Sequence, residues 1–77
     1  MDDREETKVT IARNLRRLRE THRLSRQSLA KLAEASPFTL REIEEGRLLP
    51  TIGLIWRLAA VLDVDCAAFM ERPAGPR

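Results

Sequence analysis

The sequence predicts an all-α protein, one compact domain of five mostly short helices. Three observations carry this. Apolar residues recur three and four positions apart and do not alternate with polar ones. Tyrosine is absent, and no β-branched run has the two-residue period of a strand. Helix openers and closers punctuate the chain, among them Ser25, Ser36 with Pro37, Gly46, Thr51 and Asp65.

The first helix is expected from about Lys8 to His22. Ile11, Leu15, Leu18 and then Thr21 or His22 follow one line along it and make a single buried stripe. Arg13, Arg16, Arg17 and Glu20 point elsewhere, as a solvated face or as contacts to phosphate. The second helix opens at Ser25, a good N-cap, and runs through Ala33. Leu29, Ala30 and Ala33 can face inward, and the two alanines let another helix come close.

The third helix opens at Ser36, with Pro37 in the first helical position, where a missing N–H costs nothing. Only Glu34 and Ala35 separate it from the second, so the two must cross sharply. It buries Leu40, Ile43 and part of Glu44, and Gly46 supplies the left-handed residue past its end. Thr51 caps a fourth helix carrying Ile52, Leu54, Ile55, Leu58, Ala59 and Leu62. Asp65 caps a short fifth with Cys66, Phe69 and Met70. Trp56, one step from Ile55, is expected to pack half-buried, with a dimer contact as the alternative.

Length and charge narrow the class. Seventy-seven residues make one small domain, which needs dense helix packing or a partner chain. Residues 1–7 are read as an acidic flexible segment, 8–71 as the domain and 72–77 as a flexible tail. The first six residues carry four acids against Arg4, so the body is more basic than the net charge of +2 suggests. A basic body suits a polyanion. Cys66 is the lone cysteine, so no internal disulfide forms. No apolar run is long enough for a membrane span, and the acidic start is unlike a secretory leader. These features read as a cytoplasmic protein.

No enzymatic site is legible. His22 is the only histidine, Ser25 is used as a cap, and Cys66 with one histidine makes no zinc site. No nucleotide fingerprint appears, and no cofactor or small-molecule ligand is expected.

Taken together, LRRLRE (15–20), LSRQSLA (24–30), SPFTLREIEEG (36–46), Pro50 and LAAVLDV (58–64) resemble the lambda-repressor-like helix-turn-helix family, the Cro/C1 or XRE type. The Ile-Glu-x-Gly-x-x-x-Pro spacing from Ile43 to Pro50 is especially like that family, and the likeness covers about residues 11 to 70. It implies a helix-turn-helix at the second and third helices. It also implies a transcriptional regulator, a small repressor or controller, that binds double-stranded DNA. In this mode the third helix enters the major groove of a palindromic operator and the protein acts as a homodimer.

The resemblance assigns roles residue by residue. Arg19 and Glu44 fall where the family pairs an arginine with a glutamate. Arg26 stands in place of a glutamine that holds phosphate and braces the reading helix, and Arg47 falls at a backbone-contacting loop position. The DNA-facing set is then Arg26, Gln27, Ser36, Pro37, Phe38, Thr39, Arg41, Glu42 and Arg47.

On the helical wheel, Phe38, Arg41, Glu42 and Glu45 point away from the core. Phe38 can pack on a thymine methyl, Arg41 can reach guanine or phosphate, and Glu42 can accept from cytosine or repel the backbone. Pro37 and Phe38 depart from the polar residues usual at those positions. Should Phe38, Leu32, Leu48 and Leu49 gather on one surface, they would form an apolar patch. The fold would then serve as a protein–protein interaction module without DNA reading. Arg23 and Glu34 stand where the family often has glycine, which costs about 1 kcal/mol wherever φ is positive.

Overall fold

The computed structural model describes residues 2–72. The chain folds, in order, into α1 (Asp3–Thr21), α2 (Arg26–Leu32), α3 (Pro37–Glu44), α4 (Ile52–Leu62) and a closing 3-10 helix (Cys66–Met70). No strand occurs among the described residues. The expected fifth helix is thus a 3-10 stretch. Ala68 N–H donates to the Asp65 carbonyl three residues back at 2.8 Å, and the backbone is extended again by Glu71.

α1 starts earlier than its apolar stripe suggested. The Asp2 carboxylate accepts from the Glu5 N–H at 2.8 Å, and Asp3, Glu5 and Glu6 occupy the first turn. Acids there are favoured by the positive end of the helix dipole. From Asp3 onward the acidic segment is therefore helix, and Arg72 Nη1 donates to Glu6 Oε2 at 3.0 Å. Residues 73–77 of the expected tail lie outside the described residues. At the other end the buried stripe stops at Leu18, and Thr21 and His22 are both exposed. The chain turns away there, because Arg23 takes a left-handed conformation at φ 56°.

The caps fall where the sequence places them. Ser25, Ser36, Thr51 and Asp65 each accept from a backbone N–H of the turn they open. Inside, Leu15, Leu29, Leu40, Ile43, Leu58, Leu62 and Phe69 are fully buried. Each contributes roughly 1.5–3 kcal/mol of transfer free energy. α1 packs on α3 and the 3-10 helix, and α2 packs on α3 and α4. Buried Ala30 and Ala33 permit the close α2 contacts, and Arg57 Nε in α4 donates to the Ala33 carbonyl at 2.8 Å. The buried Asn14 amide donates to the Phe69 carbonyl at 2.8 Å and the Glu71 carbonyl at 2.7 Å, fastening the 3-10 helix to α1.

Arg23, Glu34 and Asp63 all have positive φ, at 56°, 57° and 55°. Left-handed backbone costs a residue with a Cβ about 1–2 kcal/mol, and aspartate tolerates it better. Arg23→Gly and Glu34→Gly are each expected to stabilise the fold by about 0.5–1 kcal/mol, after the extra freedom of glycine in the unfolded chain is subtracted. Urea midpoints check this, and a fall in either would show that the side chain contributes more than the strain it causes.

Candidate nucleic-acid interface

The site is built on the sharp crossing of α2 and α3. Ala35 N–H donates back to the Ala30 carbonyl at 2.8 Å, closing α2 and turning the chain toward α3. Ser36 Oγ accepts from the Thr39 N–H at 3.0 Å, and its hydroxyl donates to Thr39 Oγ1 at 2.8 Å. Ser36 and Thr39 are therefore engaged in holding the head of α3.

At the opposite end of α3 sits a buried carboxylate. Glu44 is held by three arginines and its side chain is wholly inaccessible to solvent. Arg19 grips it in bidentate fashion, Nε to Oε2 at 2.6 Å and Nη2 to Oε1 at 2.9 Å. Arg26 Nε reaches Oε1 at 3.0 Å, and Arg16 Nε approaches within 3.8 Å. Burial pushes the Glu44 carboxyl up, but the hydrogen bonds and charges of Arg19 and Arg26 overcome it, so the net shift is downward. Hydrogen bonding to Glu44 raises the Arg19 guanidinium. The expected Arg19–Glu44 pair is present, and Arg26 joins it. The arginine in the glutamine's place thus braces α3 through Glu44.

The outward face of this crossing carries Gln27, Phe38 and Arg41, all exposed, with Phe38 62% accessible. Together with Arg26 and Pro37 they line an open cleft of about 410 Å³. Phe38 thus stands among cationic and amide groups.

Glu42 and Arg47 are brought together differently. Arg47 Nε donates to Glu42 Oε1 at 3.1 Å and Nη2 to Oε2 at 2.9 Å, and Arg47 also pairs with Glu45. Hydrogen bonding to Arg47 lowers the Glu42 carboxyl, and the same contacts raise the Arg47 guanidinium. Gly46, left-handed at φ 75°, makes the turn that folds Arg47 back along α3. Both carboxylate oxygens of Glu42 thus accept from Arg47, and each keeps a further lone pair. The acids on this helix are masked by the loop arginine.

Phe38 and Leu49 do not share a groove. Phe38 lines the cleft at the head of α3, whereas Leu49 lines a separate groove with Pro50, Ile52, Ile55, Trp56 and Met70. Trp56 is 68% and Ile52 79% accessible, so Trp56 is an exposed side chain of α4 and not half-buried packing. Cys66 is a half-buried free thiol on the same groove. Among the described residues no three His, Cys, Asp or Glu side chains cluster as metal ligands, and no helix is long and apolar enough to cross a membrane.

The arrangement has close relatives. The sequence profile of the helix-turn-helix domain family matches residues 10–69. An HTH_3-family transcriptional regulator from Vibrio cholerae superposes with a TM-score of 0.82 at 34% identity, over 87% of this chain and 38% of that one. The present chain therefore spans well under half of that regulator. The restriction-modification controller protein C.AhdI from Aeromonas hydrophila superposes at 0.83 with 26% identity, over 88% of this chain and 99% of its own. The clp gene regulator ClgR from Corynebacterium glutamicum shares the fold, at 0.79 with 23% identity, over 83% of this chain and 68% of that one. No curated protein matches the chain. With the buried Arg19–Glu44 brace, the α2–α3 crossing and a profile match over most of its length, the chain belongs to the helix-turn-helix domain family, of the Cro/C1 type.

Proposed function

We propose that the protein regulates transcription by binding double-stranded DNA in a sequence-specific manner, as a homodimer on a two-fold symmetric operator. α3 lies in the major groove and α2 crosses the backbone above it. The observation that carries this reading is the outward face of the α2–α3 crossing. Gln27, Phe38 and Arg41 project from it, while the rest of α3 is locked from behind by Glu44. A rigid helix with side chains held at fixed spacing is what reading base edges requires. The Vibrio and Aeromonas neighbours, a transcriptional regulator and a controller protein, support the same reading.

Roles divide by position. Arg26 and Arg47 are placed to hold phosphates at the edges of the groove, setting register without reading sequence. For Arg47 this requires exchanging its glutamates for phosphate. Ser36, Pro37 and Thr39 shape the head of α3. Gln27, Phe38 and Arg41 read bases, and Glu42 holds Arg47 until phosphate replaces it.

The second copy docks through the exposed α4 groove around Ile52, Trp56 and Met70, on a different side chain set from the reading face. The separation of Phe38 from that groove is why the DNA reading is preferred to a protein-binding module.

Selection from random duplexes at two salt concentrations tests the proposal. Enrichment of one motif with two-fold symmetry is expected. Its affinity should fall steeply with salt, as neutralised phosphates release counterions. Arg41→Ala should alter which duplexes enrich, and Arg47→Ala should weaken all of them alike. A chain that enriches nothing at either salt concentration is not a sequence-specific binder.

A further inference from the structure

We infer that the cleft at the head of α3 reads a 5-methyl pyrimidine next to a guanine. Phe38 covers the C5-methyl group and Arg41 forks onto the guanine O6 and N7. The inference deepens the reading above and rests on α3 entering a duplex.

Three features of the cleft lead to it. First, Phe38 is the large apolar side chain in a lining otherwise made by Arg26, Gln27, Pro37 and Arg41, and it is 62% accessible. An exposed ring amid cations and an amide gains by covering an apolar group on a polar, anionic partner. In the major groove the group that fits is the pyrimidine C5-methyl, which the minor groove does not display.

Second, Phe38 and Arg41 are three residues apart on α3, hence on one face and about 4.5 Å apart along the helix axis. Base pairs stack about 3.4 Å apart, so two such side chains address neighbouring pairs when the helix lies tilted along the groove.

Third, the ion pairs around α3 leave Arg41 unpaired among the described residues. Glu42 is held at both oxygens by Arg47, and Arg26 Nε is held by Glu44. Arg41 forms no ion pair among the described residues. It is the guanidinium left to fork onto a base, and an arginine's matched partner in the major groove is guanine. The recognised step therefore carries a methyl and a pair of acceptors.

The C5-methyl is the same group in the same place on thymine and on 5-methylcytosine, so either base can supply it. The experiment uses the full chain and the duplex recovered by selection, with binding followed by fluorescence anisotropy. Replacing the contacted thymine by deoxyuridine removes only the methyl. Affinity is expected to fall about fourfold per half-site, the effect of leaving one methyl uncovered. Replacing that thymine by cytosine should weaken binding, and 5-methylcytosine should recover part of the loss. In Phe38→Ala, thymine and deoxyuridine duplexes should bind alike, whereas Phe38→Leu should keep part of the discrimination. Phe38 is largely exposed, so neither variant should disturb the fold, which circular dichroism checks. Replacing the neighbouring guanine by 7-deazaguanine should weaken the wild type and leave Arg41→Ala unchanged.

Salt-sensitive binding of a selected duplex with no response to deoxyuridine at any half-site position would overturn the inference and leave the proposed function standing. Failure to bind any duplex would remove both.

Discussion

Arg19→Ala is expected to destabilise the fold by about 3 kcal/mol, the lower end for breaking a buried ion pair, because Arg26 and Arg16 remain beside Glu44. In a domain of this size that corresponds to a fall in Tm on the order of 15 °C. The reason is location. The Glu44 side chain is fully buried and that of Arg19 is only 12% accessible, so neither is well screened by water. Removing the guanidinium leaves a carboxylate in the interior with its bidentate partner gone. Arg19→Lys keeps the charge but loses the planar fork, and should recover only part of the loss. Arg16→Ala is the control. That side chain is 46% accessible and 3.8 Å away, so its removal should cost well under 1 kcal/mol.

The same cluster sets an acid limb. The folded state lowers the Glu44 carboxyl below its ordinary 4.5. A depressed carboxylate contributes stability that is complete above the unfolded value and is lost as pH falls through the folded one. Wild-type stability should therefore decline below about pH 4.5, as Glu44 is forced to take a proton. Arg19→Ala has less of this contribution to lose, so its curve should be flatter over the same window. Urea unfolding at neutral pH and at acid pH, for both chains, measures the difference. Equal slopes would mean that Glu44 is not held by Arg19 in solution.

The second large effect concerns assembly. Trp56→Glu should convert the protein to a monomer and lower its affinity for a two-fold operator about 100-fold, because the second half-site is no longer delivered by a tethered copy. Trp56 is 68% accessible, in a groove with Leu49, Pro50, Ile52, Ile55 and Met70, and an exposed aromatic set in apolar surface is the usual anchor of an interface. A glutamate there brings an unpaired charge into the dimer and leaves the isolated fold almost unperturbed. Sedimentation gives the mass, and circular dichroism gives the fold. Affinity for a single half-site should be unchanged. A Trp56→Glu chain that stays dimeric and binds its operator as before would place the dimer contact elsewhere.

Much of the fold could be read from residues that act locally. Ser25, Ser36, Thr51 and Asp65 cap the turns they precede, and Leu40, Ile43, Leu58 and Leu62 fall inward on the helical period. The start of α1 was legible too, since Asp2 with Glu5 three residues on has the pattern of a capping box. Four acids close together suggested a solvated arm, yet at a helix start they are stabilising. Trp56 was likewise readable. Two residues beyond the buried Leu54 is about 200° around the wheel, nearly opposite the core.

Other features depend on distance in space. Asn14 sits within an apolar stripe, and the carbonyls that satisfy it lie at Phe69 and Glu71, far along the chain. That Arg26 would reach Glu44, and Arg47 would fold back on Glu42, depends on how α2 crosses α3 and on how the turn at Gly46 closes. The candidate reading face was visible as residue types. Which of those side chains are occupied and which project became clear only with the ion pairs in place.

Whether the head of α3 enters a major groove is tested most directly by NMR of the full chain bound to its selected duplex. Nuclear Overhauser contacts are expected from the Phe38 ring to major-groove base protons, with the largest shift changes at Gln27, Phe38 and Arg41. Shift changes confined to α4 and the 3-10 helix, with Phe38 unaltered and no contact to a base, would contradict a reading role for α3.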